Sequence, residues 1–211
     1  MRKKEAHQSA VCPILHKAVV MGGSAGGFKA FSTILSSISP DFRLPILIVQ
    51  HLRPDDDGLF ARHLAGTVTV PVIEPCDKQW IKAGHLYVAP ANYHMLVEQN
   101  GTIALSVEEK VNWSRPSIDV LFESAALALG ERIIAVILSG ANADGAAGML
   151  TIKKAGGLTI VQDPATAEYP VMPQAAIDSG AVDEVLSMEE IGRRLIELGS
   201  FNLDELHSVT L

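Results

Sequence analysis

A chain of 211 residues, 48% hydrophobic and 19% charged, has enough apolar material for one well-cored domain and is short for two. Its formal net charge of −7 removes the global cationic pull that non-specific nucleic-acid binding needs, so nucleic acid is not an expected partner. No apolar run reaches membrane-spanning length, and the basic start Met1-Arg2-Lys3-Lys4 is broken by Glu5 before a usable signal core, so the expectation is a cytoplasmic protein without membrane insertion.

Residues 1–16 are read as an N-terminal extension, and 17–199 as the body of the domain. Lys17 to Met21 predicts the first strand, followed by the glycine-rich turn Gly22-Gly23-Ser24-Ala25-Gly26-Gly27. Phe28, Phe31, Ile34 or Leu35, and Ile38 then recur at helical spacing until Pro40. The continuous apolar run Pro45 to Val49 has the character of a buried parallel strand, ending at Gln50-His51 and a polar loop that begins at Arg53. Leu59 to Leu64 predicts a short helix, and Val68 to Ile73 another strand.

The middle of the chain changes character. Gly84 to Ala89, His94 to Val97 and Thr102 to Ser106, the last two flanking Asn100-Gly101, predict short strands and a hairpin forming an antiparallel appendage. The helical pattern returns from Ile118 to Leu129, and Arg132 to Leu138 predicts a strongly apolar strand that leads into Ser139 to Gly145. A helix over Ala146 to Ala155 and a strand over Leu158 to Val161 follow, then a last helix from near Ser187, whose pairing with Glu190 has capping-box spacing. Residues 200–211 are read as a tail. The class is α/β: a doubly wound, mostly parallel sheet with helices on both faces and a small antiparallel hairpin appendage.

Ser24 stands on a strand-to-helix turn with G-x-S-x-G spacing, where a serine oxygen can project from the sheet toward a substrate. A phosphate-cradling turn is the competing reading. The glycine positions miss the dinucleotide fingerprint, and Phe28 stands where a P-loop needs lysine. In open parallel sheets ligands bind beyond the carboxyl ends of the strands, where Ser24, His51 and Asp144 all fall. A serine hydroxyl needs a base to take its proton, and an imidazole base needs a carboxylate to fix its tautomer. Asp163 also follows a strand, so the residues alone leave the carboxylate open between Asp144 and Asp163. The order Ser, His, Asp differs from that of the α/β-hydrolases.

The expected chemistry is acyl transfer or ester hydrolysis without cofactor or metal, with the Ala25 N–H and a second loop N–H holding the oxyanion. Cys12 and Cys76 lack metal-ligand or paired spacing and are read as free thiols.

Several separated motifs in one order resemble the catalytic domain of the bacterial chemotaxis protein-glutamate methylesterases. They are Gly22 to Gly27, Val49-Gln50-His51, Tyr87-Val88-Ala89-Pro90, Arg115 to Phe122, Ile137 to Gly140, Asp144-Gly145-Ala146 and Ala155-Gly156-Gly157. The resemblance implies Ser24 as nucleophile, His51 as base and Asp144 as its orienting carboxylate. It implies hydrolysis of glutamyl γ-methyl esters on the cytoplasmic helices of methylated chemoreceptors, with deamidation of receptor glutamines by some relatives. Arg53 and Arg115 are candidate cations for orienting that acidic substrate.

The family commonly has Thr where Ala25 stands and Met-Gly where Ala141-Asn142 stands, which leaves the backbone N–H groups of Ala25 and Ala141 as the oxyanion candidates. Typical members also carry a phosphoacceptor receiver domain ahead of the catalytic domain, whereas a short segment precedes the first strand here. The alternatives are a stand-alone paralogue, a partner of a separate response regulator, or a piece of a longer protein. Two other functions stay open at this point: a non-catalytic receptor-binding or scaffold module of the same fold, and a broader esterase or amidase.

Overall fold

Three apolar runs, Ala18–Gly23 (β1), Ile46–Gln50 (β2) and Ile133–Ile137 (β7), are buried along their whole length in the computed structural model, which describes residues 18–199. Strands buried on both faces need no polar alternation, and they occupy the middle of a parallel sheet. The remaining strands are Val72–Ile73 (β3), Leu86–Val88 (β4), His94–Val97 (β5), Ile103–Ser106 (β6), Leu158–Gln162 (β8) and Glu184–Leu186 (β9). Seven of them form one sheet in the order β3-β4-β2-β1-β7-β8-β9, with every neighbouring pair parallel. β5 and β6 pair separately as an antiparallel hairpin.

The helices are Gly27–Leu35 (α1), Leu59–Ala65 (α2), Ile118–Leu129 (α3), Ala146–Lys154 (α4), Val171–Asp178 (α5) and Met188–Gly199 (α6). Alternation along β1 sends Val19 and Met21 into a core with Phe31 and Ile34 of α1, Phe60 of α2 and Ile191 of α6. Ala18 and Val20 join the opposite core, with Phe122 of α3, Met149 of α4, Met172 of α5, and Met95 and Ile103 of the hairpin. The doubly wound reading therefore holds, with helices on both faces. The chain works outward from β1 through β2, then crosses back to β7 on the other side of β1. That reversal is the switch point at which open α/β sheets carry their ligand sites.

Several boundaries depart from the sequence reading. The strand expected over 68–73 shrinks to Val72–Ile73, because Val68 N–H is still bonded to Leu64 O at the end of α2 and Pro71 has no N–H for a ladder. Leu86–Val88 joins the main sheet between β2 and β3 instead of the appendage, which consists of β5 and β6 alone. Its three residues are fully buried, as a central parallel strand requires. α5 and β9 had no sequence signal: α5 carries Pro173 in its first turn, and β9 is a short, half-exposed edge strand beginning with Glu184. The box at the start of α6 forms, with Ser187 N–H donating to Glu190 Oε2 and Glu190 N–H to Ser187 Oγ. The segments 1–16 and 200–211, Lys17 and Cys12 lie outside the described residues; Cys76 is exposed and free.

Candidate active site

Register places the site. Gly23 of β1 pairs with Gln50 of β2, and Gly22 pairs with Ile137 of β7, so Ser24, His51 and Ser139 emerge side by side where the strands end. His51 N–H donates to Gly23 O at 3.1 Å, and Ser24 N–H donates to Ser139 O at 3.0 Å, continuing the ladder one step past the strands. The serine turn is also fixed from below. Gln50, 3% exposed, donates its amide to Ser24 O at 2.9 Å and to His51 O at 3.1 Å. The Ser139 hydroxyl donates to Ala25 O at 2.8 Å and accepts from Tyr169 N–H at 2.9 Å. Gly26 then enters α1 at φ 75°, left-handed backbone that a side chain resists.

The imidazole meets its carboxylate directly: His51 Nε2 lies 2.8 Å from Asp144 Oδ2. A carboxylate only accepts, so Nε2 carries a proton, and in the neutral ring Nδ1 then keeps its lone pair. Nδ1 is 3.5 Å from Ser114 Oγ and 3.5 Å from Asn142 Nδ2, the outer limit for donation. Among the described residues the Ser24 hydroxyl has no hydrogen bond. Register sets Ser24 and His51 at neighbouring strand ends with no hydrogen bond between hydroxyl and ring among the described residues, and catalytic hydrogen bonds are often long in ligand-free sites.

Asp144 is 1% exposed and accepts five donors. Oδ2 takes His51 Nε2–H and Ile118 N–H; Oδ1 takes Ser117 Oγ–H, Asn112 Nδ2–H and Asp119 N–H. Two of these are the first N–H groups of α3, so the Asp144 carboxylate caps that helix from another part of the chain and lies at its positive end. Burial is the strongest influence on this carboxyl and pushes it up. The bonds from His51, Asn112 and Ile118 outweigh it, and Asp144 lies below the usual aspartate range. Its neighbour Asp119 lies above that range, chiefly through burial and further through the charge of Asp144, despite the Gly148 N–H it accepts.

The remaining polar groups near the site sort by position. Asp163 is a turn residue whose carboxylate accepts Ala165 N–H, and it is not a partner of His51. His94 is buried and used internally, accepting Ser117 N–H at Nδ1 with Nε2 against Glu109 O. Neither Ala25 N–H nor Ala141 N–H has a protein acceptor among the described residues, so both backbone donors of the expected oxyanion site are unspent. Arg53 is exposed and paired with Asp55. Arg115 is engaged internally: its guanidinium donates to Asn92 Oδ1, Val107 O and Glu108 O, clamping the loop that leads to α3.

Ser139, Gln50, Ser117 and Asn112 were not singled out by sequence reasoning. Each acts through a contact 26 or more residues away along the chain. A buried polar residue at a strand's carboxyl end was the one signal that could have flagged Gln50 and Ser139.

This arrangement has a buried carboxylate, an imidazole oriented by it, a serine on a glycine turn and two unspent N–H groups. It has the parts for nucleophilic acyl transfer. Comparison with known proteins agrees. The model of the CheB methylesterase family matches residues 19–195. A Leptospira interrogans protein, provisionally named protein-glutamate methylesterase/protein-glutamine glutaminase, is 47% identical over 190 residues, covering 90% of this chain and 98% of its own. A Paraburkholderia xenovorans protein-glutamate methylesterase/protein-glutamine glutaminase is 42% identical over 183 residues; the match takes in 85% of this chain and 50% of that longer protein. The crystal structure of the Thermotoga maritima CheB methylesterase catalytic domain superposes with a TM-score of 0.83 at 35% identity, over 87% of this chain and 98% of that one.

Proposed function

The chain belongs to the CheB methylesterase family, and from that premise we propose that it hydrolyses glutamyl γ-methyl esters on methylated chemoreceptor helices and deamidates receptor glutamines, through Ser24, His51 and Asp144. The catalytic unit is taken as residues 17–199 and its setting as the cytoplasm; among the described residues no helix is long and apolar enough to cross a membrane.

In this mechanism Ser24 Oγ attacks the ester carbonyl carbon while its proton passes to His51 Nδ1. Asp144 stabilises the imidazolium through Nε2–H. The carbonyl oxygen, now negative, is held by the N–H groups of Ala25 and Ala141, each donor of this kind supporting about a hundredfold to a thousandfold in rate. Collapse expels the methoxy group, which leaves as methanol with the proton from His51. Water then attacks the acyl-serine by the same proton route and frees the glutamate. With a glutamine substrate the leaving group is ammonia.

The observation that carries the reading is the 2.8 Å contact between His51 and Asp144, made beside the Ser24 turn. Substrate orientation falls to the exposed Arg53, since the Arg115 guanidinium is occupied within the loop. Trp113, 95% exposed and next to Ser114, offers a receptor helix an apolar contact near the imidazole.

Methanol release from a methylated receptor fragment tests the proposal. Wild-type protein is expected to release it, and Ser24→Ala to lose nearly all of that activity while remaining folded. Undiminished release by the variant refutes the nucleophile, and efficient hydrolysis of small acyl esters with no action on receptor favours a general esterase.

A further inference from the structure

The loop before α3 sends one side chain under the site. Asn112 belongs to an exposed segment, yet its amide Nδ2 donates inward to Asp144 Oδ1 at 2.8 Å and to Asp119 Oδ2 at 2.7 Å. It is the single side chain among the described residues that bonds both acids, which are 1% and 6% exposed. Two buried carboxylates this close repel each other, and both charges persist only where donors are placed between them. Asn112 also adopts φ 50°, a left-handed conformation that asparagine tolerates better than most residues with a side chain. Arg115 clamps the same loop three residues on, through Asn92, Val107 and Glu108.

We infer that Asn112 is a positioning residue of the hydrolytic site: its amide bridges Asp119 and Asp144, keeping Asp144 charged and turned toward His51.

The inference rests on the proposed hydrolytic reading and extends it to a residue that touches neither Ser24 nor His51. Three arguments support it. Asp144 keeps four other donors, from His51, Ser117, Ile118 and Asp119, but none of these also bonds the Asp119 carboxylate. Asp119 in turn has Gly148 N–H on Oδ1 and Asn112 on Oδ2, so removing the amide bares the oxygen that shares this donor with Asp144. The remaining charged or titratable groups around the acids are His51 after β2 and Glu123 on α3, with His94 of β5 one contact away through Ser117 N–H. None of them substitutes for a neutral donor between the two carboxylates. Without Asn112 the acids share a proton, and Asp144 is charged only at higher pH.

Asn112→Gly isolates the amide, because glycine keeps the left-handed backbone. Asn112→Asp keeps the shape and replaces the donor with a third acid. The test compares both with wild type in two readouts. One is the pH profile of kcat/KM for methanol release from a methylated receptor fragment. The other is the proton NMR resonance of the His51 Nε2–H, followed against pH without substrate.

In Asn112→Gly the low-pH transition at which the His51 Nε2–H resonance reports loss of the Asp144 charge is expected to move up by about one pH unit, as for a lost hydrogen bond to a charged group, and the low-pH end of the kcat/KM profile to fall away with it. Asn112→Asp is expected to move them further, and KM to change less than about twofold in either variant. Limbs and midpoints superimposable on wild type in both variants overturn the inference. Should Asn112→Gly fail to fold, Asn112→Asp decides by the same criterion. A wild-type protein that releases no methanol counts against the hydrolytic reading instead, and the NMR comparison then decides Asn112 alone.

Discussion

The Ser139 hydroxyl occupies the space that a side chain on Gly26 would need: a Cβ built on Gly26 would lie 2.5 Å from Ser139 Oγ and 2.9 Å from Glu168 Cβ. That hydroxyl is also the bond that ties the serine turn to the end of β7, through Ala25 O at 2.8 Å. The close approach explains why this turn carries glycine after the serine. Gly26→Ala is therefore expected to cost about 1–2 kcal/mol from the left-handed backbone alone, and more from the displaced hydroxyl. Activity should fall at least about tenfold, because the Ala25 N–H moves with the turn. Chemical denaturation together with kcat measures both; a variant of wild-type stability and rate contradicts this account of the turn.

Asp144 ties acid stability to catalysis. Its carboxyl lies below the ordinary aspartate value when folded, since the donated bonds outweigh the burial that would raise it. A depressed folded value means the folded state favours the charged form, so this stabilisation is complete above the unfolded value of about 4 and is lost as pH falls through the lower, folded one. Asp144→Asn is expected to be less stable than wild type by about 2 kcal/mol near neutrality, after the lost repulsion with Asp119 is set against the lost charged bonds. The gap should close below about pH 4. Urea denaturation across that range checks it, and a pH-independent gap contradicts the assignment.

Trp113 separates receptor recognition from chemistry. An indole 95% exposed on a clamped loop gains area only when a partner covers it. Trp113→Ala is expected to raise KM for a methylated receptor fragment about tenfold, within the range of interface anchors, and to leave hydrolysis of a small acyl ester unchanged. Equal loss on both substrates would mean that the indole supports the fold or the imidazole instead.

Ser117 shows how the capping of α3 differs from a local rule. It is the residue before the helix, but its hydroxyl serves Asp144, and Asp144 in turn receives the first helical N–H groups. Ser117→Ala is expected to reduce kcat with little change in KM, since the carboxylate loses one of its three Oδ1 donors. Steady-state kinetics on the receptor fragment checks it; an effect confined to KM would place Ser117 on the substrate path.

The parts of this architecture visible in the sequence were those with local causes. Unbroken apolar runs marked the buried strands, helical periodicity marked α1 and α3, and the strand-end rule put Ser24, His51 and both Asp144 and Asp163 at one edge, with the choice of Asp144 resting on the family resemblance. Leu86–Val88 was assigned to the wrong sheet because three residues carry too little pattern to tell a central strand from a hairpin arm. α5 and β9 escaped because one starts on prolines and the other sits half-exposed at the edge. Arg115 stood in the sequence as a candidate orienting cation, and only the folded loop brings Asn92 Oδ1 and two carbonyls to its guanidinium. Asn112 was invisible for the same reason: its two acceptors, Asp119 and Asp144, converge only when α3 and the loop after β7 pack together.

The central claim is that Ser24 is an activated nucleophile served by His51. Labelling with a fluorophosphonate, followed by mapping of the modified peptide, tests it most directly, because such reagents mark serines whose proton is being removed. The account predicts a single modified serine at Ser24, with His51→Gln slowing the labelling by about a hundredfold or more. An inert Ser24, modification at Ser114 instead, or an unchanged rate in His51→Gln would contradict it.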